Sequence, residues 1–292
     1  MHAARNPARR ARRERIRLPY SAAITPPIAE LQIDIPGDLA ADVDQATQLL
    51  TRFDAEVGPA GLPFASILLR TESASSSEIE NLTSVARVIA EAELGVRGAG
   101  NAAQIVANVR SMEAALTLAD IVDGQSIIAM QTALLGSFAP ELTGSWRNEQ
   151  VWIGGGSLSP HLTDFAPPHH ERVPQAMDDL VASITRLDIP KLAHVAIAHA
   201  QFETIHPYPD GNDRTDRAVV QAMLRHSEVT KNITVPVSAT GLLHDIYGYY
   251  DALDSYRSGD IRPIIAAFAQ GCSYGVVYGR KLVRDIAAIE AG

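Results

Sequence analysis

The 292-residue chain has one cysteine, Cys272, which excludes an intramolecular disulfide framework and a thiolate-rich zinc module. A single thiol suits a reducing compartment. Aromatic residues make up 5% of the chain, too few to expect a stacking platform for single-stranded nucleic acid. No charge-free apolar stretch reaches the roughly 18 residues that a membrane span requires. Internal repeats and low-complexity tracts are also lacking.

The composition suits a packed core, with 46% apolar and 20% charged residues arguing against wholesale disorder. Net charge is −9 but uneven: Met1–Arg17 holds seven Arg and one Glu, which leaves −15 on the other 275 residues. An acidic body is not expected to bind nucleic acid through a general basic surface. The basic start could be a nucleic-acid arm or an export signal, given Arg9-Arg10 and Arg12-Arg13. Prolines at 19, 26 and 27 leave no apolar signal core, so a disordered tail over residues 1–19 and a cytoplasmic location are the plainer expectation.

Apolar spacings of three and four predict helices over most of the chain. They run from Asp38 past Phe53, from Phe64 to Arg70, and from the Ser73–Ser77 crowd through Ile79, Leu82, Val85, Ile89 and Ala90. Others span Ala103–Leu118, Ile127–Leu135, Val173–Ile184, Pro190–Ile205, Asn212–Arg225, Leu242–Tyr256 and Ile261–Ile289. One segment differs: Gln150–Ile153 reads as a strand, Gly154–Gly156 as a turn and His161–Phe165 as a returning strand. The expected class is all-α with one β-hairpin. Little sequence follows the last helix, so no appended DNA-binding domain is expected there.

The chemistry concentrates in Ile205-His206-Pro207-Tyr208-Pro209-Asp210-Gly211-Asn212-Asp213-Arg214-Thr215-Asp216-Arg217. Pro207 and Pro209 end one helix at His206, and Gly211-Asn212 opens another. Free amides at a helix start attract anions. Arg214 and Arg217, three apart, share a face and lean back over that start. Two guanidinium groups above an amide-lined loop suit a polyphosphate. Asp210 could hold Mg²⁺, and His206 could take a proton from an incoming hydroxyl. The plain alternative is an inter-helix loop with surface ion pairs.

This segment resembles the Fic motif, H-P-F-x-D/E-G-N-G-R-x-x-R, matching seven of nine specified places, with Tyr208 for Phe as an eighth. Ala198–Ile205 is similar to the family's preceding helix, and Gln150–Gly155 to its flap. Tyr249–Leu253 with Ser258-Gly259-Asp260 is similar to the helix that closes its nucleotide pocket. The resemblance runs from about Tyr20 to about Ile289. It implies a Fic core over residues 111–292 and an N-terminal helical region over 20–110. The implied activity is transfer of AMP from ATP to a Tyr, Thr or Ser hydroxyl of a target protein, this chain included. By position, His206 is the base and Asp210 the Mg²⁺ ligand. Gly211, Asn212 and Asp213 line the anion loop, and Arg214 and Arg217 hold the outer phosphates. Tyr208 anchors the loop, and Tyr249 and Tyr250 either flank the adenine or pack in the core. Gln150, Val151, Trp152, Ile153 and Gly154 would pair with the target, and a homodimer is implied.

The chain departs from the motif at Asp213, where the family has Gly, and at Asp216, where Gly is frequent. A carboxylate at 213 opposes phosphate at short range unless a cation neutralises it. A fold that binds nucleotide or partner without transfer, or that uses another donor, is the alternative. Ser76-Ser77-Glu78-Ile79-Glu80-Asn81 resembles the family's inhibitory pattern S/T-x-x-x-E-G/N, which implies that Glu80 pairs with Arg217 and mis-seats ATP. The same Glu80 could direct water for AMP removal. Ser77-x-x-Glu80 also reads as a capping box. A further reading, a metal hydrolase built on His199, Glu203 and His206, lacks a matching ligand pair on another helix. His169-His170, after two prolines, reads as a solvated loop.

Overall fold

The computed structural model describes residues 19–58, 62–96, 100–154, 160–237 and 242–290. The basic stretch Met1–Arg17 and the turn residues Gly155 and Gly156 lie outside them. Ten α-helices occur among the described residues: α1 Gly37–Val57, α2 Leu62–Ile79, α3 Ala86–Glu93, α4 Asn101–Thr117, α5 Gly124–Leu135, α6 Val173–Ile184, α7 Lys191–Ile205, α8 Asn212–His226, α9 Ile246–Arg257 and α10 Arg262–Glu290.

Helix α7 is the centre. Every residue from Leu192 to Ile205 is buried, because α1, α6, α8, α9 and α10 all pack around it. A helix apolar on nearly all sides can only lie inside. One hydrophobic cluster takes Leu50 and Phe53 from α1, Leu68 from α2, Met112 from α4, Phe202 from α7 and Phe268 from α10. The N-terminal helices therefore share the core of the motif-bearing ones. Helix α4 runs unbroken across residue 110. Before α1, the chain is non-helical from 19 to 36 and is pinned along its length. Ile28 N–H donates to Asp179 Oδ2 at 2.6 Å, and Gln201 Nε2 donates to Pro26 O at 2.9 Å.

Two sequence expectations need correction. The serine run does not separate two helices; α2 passes straight through it. Ser73 and Ser77 are fully buried and bond back to the carbonyls of Leu69 and Ser73, so their hydroxyls compete little with the helix. The break comes later, after Ile79, where Asn81 takes φ 58°. Ser77 is thus inside a helix and caps none.

The hairpin shrinks to one antiparallel bridge, Ile153 with Phe165, among the described residues. In that register Val151 would face Pro167 and Gln150 would face Pro168. Neither proline has an N–H to give, so the ladder cannot extend. Thr163 Oγ1 also takes up the Ile153 carbonyl. Gly154 has φ 72°, and a Cβ there would collide with the Asp164 side chain, so the turn admits only glycine.

Candidate active site

Helix α7 ends at His206, which adopts left-handed φ 50° and donates its N–H to Phe202 O. This unusual conformation in a non-glycine residue turns the imidazole out of the helix. Its side chain is 14% exposed, with Nδ1 3.9 Å from Glu203 Oε2. Burial, opposed by the Asp213 charge, lowers its pKa to about 4. The imidazole is therefore neutral at physiological pH and able to accept a proton.

Asn212 closes the loop between α7 and α8. Its Oδ1 accepts Tyr208 N–H at 2.8 Å, and its Nδ2 donates to Tyr208 O at 2.9 Å. Tyr208 is fully buried, with its ring 5.2 Å from Trp146. The Asn212 side chain therefore braces the loop rather than facing a ligand. Gly211 at φ 77° starts α8, where a Cβ would sit 3.0 Å from Leu134. Asp210 is exposed on the rim, its Oδ1 accepting Gly211 N–H at 2.7 Å.

The two arginines are both buried and differ in their partners. Arg217 donates Nε to Ser76 Oγ, and Nη2 to Ser76 O and to Glu80 Oε1, each at 2.8 Å. Burial disfavours its charge, but Glu80 and Asp213 outweigh that and raise its pKa. Arg214 Nη1 is buried with no hydrogen-bond partner among the described residues. Burial lowers the pKa of Arg214, against the pull of Asp210 and Glu80. Glu80 is raised by burial and by Asp213, more than Arg217 lowers it.

Asp213 is half-buried in the first turn of α8. Burial would raise its pKa; His206, Arg217 and a hydrogen bond with Glu203 together hold it low. Asp216 is fully buried and meets His199 Nδ1 at 2.9 Å. It faces His199 and Glu203 from a second helix, one carboxylate where the metal-hydrolase reading calls for a pair. Burial, with Asp213 and Asp216 beside it, raises Glu203 well above the usual carboxylate range.

Tyr249 belongs to the core, its OH 2.8 Å from His199 Nε2, while Tyr250 is 44% exposed with its ring 5.5 Å from Tyr249. In the flap segment, Gln150, Val151, Trp152 and Ile153 are half-buried and Gly154 is exposed. Gln150 donates to Pro167 O at 2.8 Å, and Arg257 lies over the Phe165 ring at 4.0 Å.

Arg147, which no motif signalled, joins the segment around residues 149–168 to the His206 turn. It donates to the carbonyls of His206 (2.8 Å), Glu149 (2.9 Å), Ile205 (3.4 Å) and Pro168, and its own N–H bonds Pro207 O. All its partners are main-chain oxygens, so burial lowers its pKa, to about 10.

A helix–loop–helix with a neutral imidazole, an anion-ready helix start and two arginines is now in view. Residues 121–224 match the sequence model of the Fic/DOC family. This stretch is a Fic/DOC domain. Ser76, Glu80, Tyr249 and Tyr250 lie outside the matched Fic stretch. Among relatives, the chain is 27% identical to protein adenylyltransferase fic-1 of Caenorhabditis elegans over 52% of this chain and 27% of that protein. It is 29% identical to protein adenylyltransferase Fic of Nematostella vectensis, over 49% of this chain and 31% of that one. The chain thus spans under a third of the length of these curated relatives. A Fic family protein from Desulfovibrio desulfuricans G20 shares the fold with TM-score 0.69 at 23% identity, covering 90% of this chain and 77% of its own. Fic-1 from C. elegans does so with TM-score 0.60 at 19% identity, covering 86% and 74%.

Proposed function

We propose that this Fic domain transfers AMP from ATP to a hydroxyl side chain of a protein, and that Glu80 represses it. The observation that carries the reading is Arg214: a buried guanidinium with an unpartnered Nη1, beside the start of α8. A cation left in that state suits an anionic ligand. Phosphates would lie against the amides of the Gly211–Arg214 turn, with Arg214 and, once freed, Arg217 on the outer groups.

The neutral His206 imidazole takes the proton of the target hydroxyl. The hydroxyl oxygen then bonds to the α-phosphorus, the bond to the bridging oxygen breaks, and pyrophosphate leaves with the electron pair. Asp210, a lone rim carboxylate, fits a cation that draws most ligands from phosphates and water, so it would hold Mg²⁺, which supplies neutralisation of the outer phosphates. The flap segment around the Ile153–Phe165 bridge would take an extended piece of the target.

Repression follows from Arg217. Ser76 and Glu80 use its Nε and Nη2; its Nη1, like that of Arg214, is without a partner among the described residues, so the Glu80 carboxylate would compete with a γ-phosphate for this guanidinium.

A second reading rests on Asp213. A low-pKa carboxylate in the first turn of α8 stands where phosphate must approach, which favours binding without transfer, or a different phosphate donor. Incubation with Mg²⁺ and ATP labelled at the α-phosphate separates the two. Label on protein in Glu80→Gly, lost in the Glu80→Gly/His206→Ala double variant, supports repressed transfer. Label absent until Asp213→Gly is added supports the second reading.

A further inference from the structure

Below the His206 turn, three side chains from two helices converge in the interior. His199 and Glu203 lie one turn apart on α7, and Asp216 faces them from α8; each is at most 1% exposed. One ligand-type atom from each lies within 4.8 Å of the others. We propose that His199, Glu203 and Asp216 bind a divalent first-row transition-metal ion that fastens α7 to α8. The site is distinct from the Mg²⁺ position at Asp210.

Three observations support this. First, Glu203 Oε1 and Asp216 Oδ1 are buried without a hydrogen-bond partner among the described residues. His199 Nδ1 and Asp216 Oδ2 are likewise buried and have no hydrogen-bond partner within the geometric limits among the described residues. Second, His199 is already oriented as ligating histidines are. Its Nε2 is held by Tyr249 OH at 2.8 Å, which leaves Nδ1 toward Asp216. Third, the charge is uneven. Three carboxyl groups, at 203, 213 and 216, share this region with two buried guanidinium groups, Arg214 and Arg217, and Arg217 is already bound to Glu80. A divalent ion would neutralise the two ligand carboxylates where they meet in the interior. One imidazole and two carboxylates select a first-row ion such as Zn²⁺ or Mn²⁺ over Ca²⁺.

Binding needs a free imidazole lone pair and two carboxylates, so uptake weakens in acid. The seat is inside the core, so its effect is positional. Glu203 is three residues before His206, and Asp216 adjoins Arg217. The ion would fix the base and the second arginine relative to each other.

The test needs no nucleotide. The full chain is stripped with a chelator, incubated with Zn²⁺ or Mn²⁺, desalted, and assayed for metal by mass spectrometry and for thermal midpoint. The expected result is one equivalent retained and a raised midpoint. Asp216→Asn and His199→Gln should lower affinity at least about tenfold. His170→Ala, which removes a ligand from the exposed His169–His170–Glu171 group, and Asp210→Asn should retain the ion. If an interior variant fails to fold, anomalous scattering from wild-type crystals decides: a peak between His199 Nδ1 and Asp216 supports the site. No stoichiometric uptake, uptake abolished only by His170→Ala, or a peak elsewhere overturns it.

Discussion

Glu80 Oε1 lies 2.8 Å from Arg217 Nη2, yet the two ends of this pair sit in different surroundings: the guanidinium side chain is 1% exposed and the carboxylate side chain 30%. The glutamate is the partner that can leave for water. Replacing it should therefore free the arginine without dismantling the core. In Glu80→Gly, labelling from α-phosphate-labelled ATP should rise by roughly tenfold or more, a change of about 1.4 kcal/mol in barrier. The unfolding free energy from urea titration should fall modestly, by about 1–3 kcal/mol, because Arg217 keeps its two Ser76 bonds.

Asp213→Asn keeps the shape of the side chain and removes the charge. Nucleotide affinity in the Glu80→Gly background should tighten about tenfold, read with a fluorescent ATP analogue. Unchanged affinity would show that the carboxylate at 213 does not face the phosphates.

His206 gives a signed pH effect. Its folded pKa, about 4, lies below the ordinary histidine value of 6.5. The unfolded chain therefore binds the extra proton first, and stability falls as pH drops from 6.5 toward 4. Urea titrations at pH 7 and pH 4.5 should show wild type losing about 2–3 kcal/mol more than His206→Ala from this group alone. Equal losses would refute the buried, neutral imidazole.

Arg147→Met strands carbonyls at both the His206 turn and the flap base. It should cost about 2–4 kcal/mol, and hydrogen exchange should quicken across residues 150–165. Arg147→Lys should restore only part, since an ammonium has three donors and no planar fork.

Much of this architecture was legible in the sequence. The spacings of Leu39, Val43, Ala46, Leu50 and Phe53 gave α1, and prolines at 207 and 209 placed the loop. What failed involved distant partners. The serines at 73, 76 and 77 are poor helix formers in isolation, and only burial against α4 and Arg217 makes them helical. The run Gln150–Ile153 has strand composition, but whether it pairs depends on prolines some fifteen residues away in the chain. Asp216 read as a departure from a motif; that it meets His199 depends on how α8 lies against α7. Arg147 had no signature at all, because main-chain oxygens, its only partners, are the same in every residue.

Glu80 follows directly on the end of α2, a rod whose inner face is sealed into the same interior as the rest of the molecule. Swinging that rod away would expose Leu68, Phe64 and their neighbours to solvent. Under the repressed-transfer reading, release would come by displacing the short non-helical link at residues 80–85 and not by lifting the whole helix.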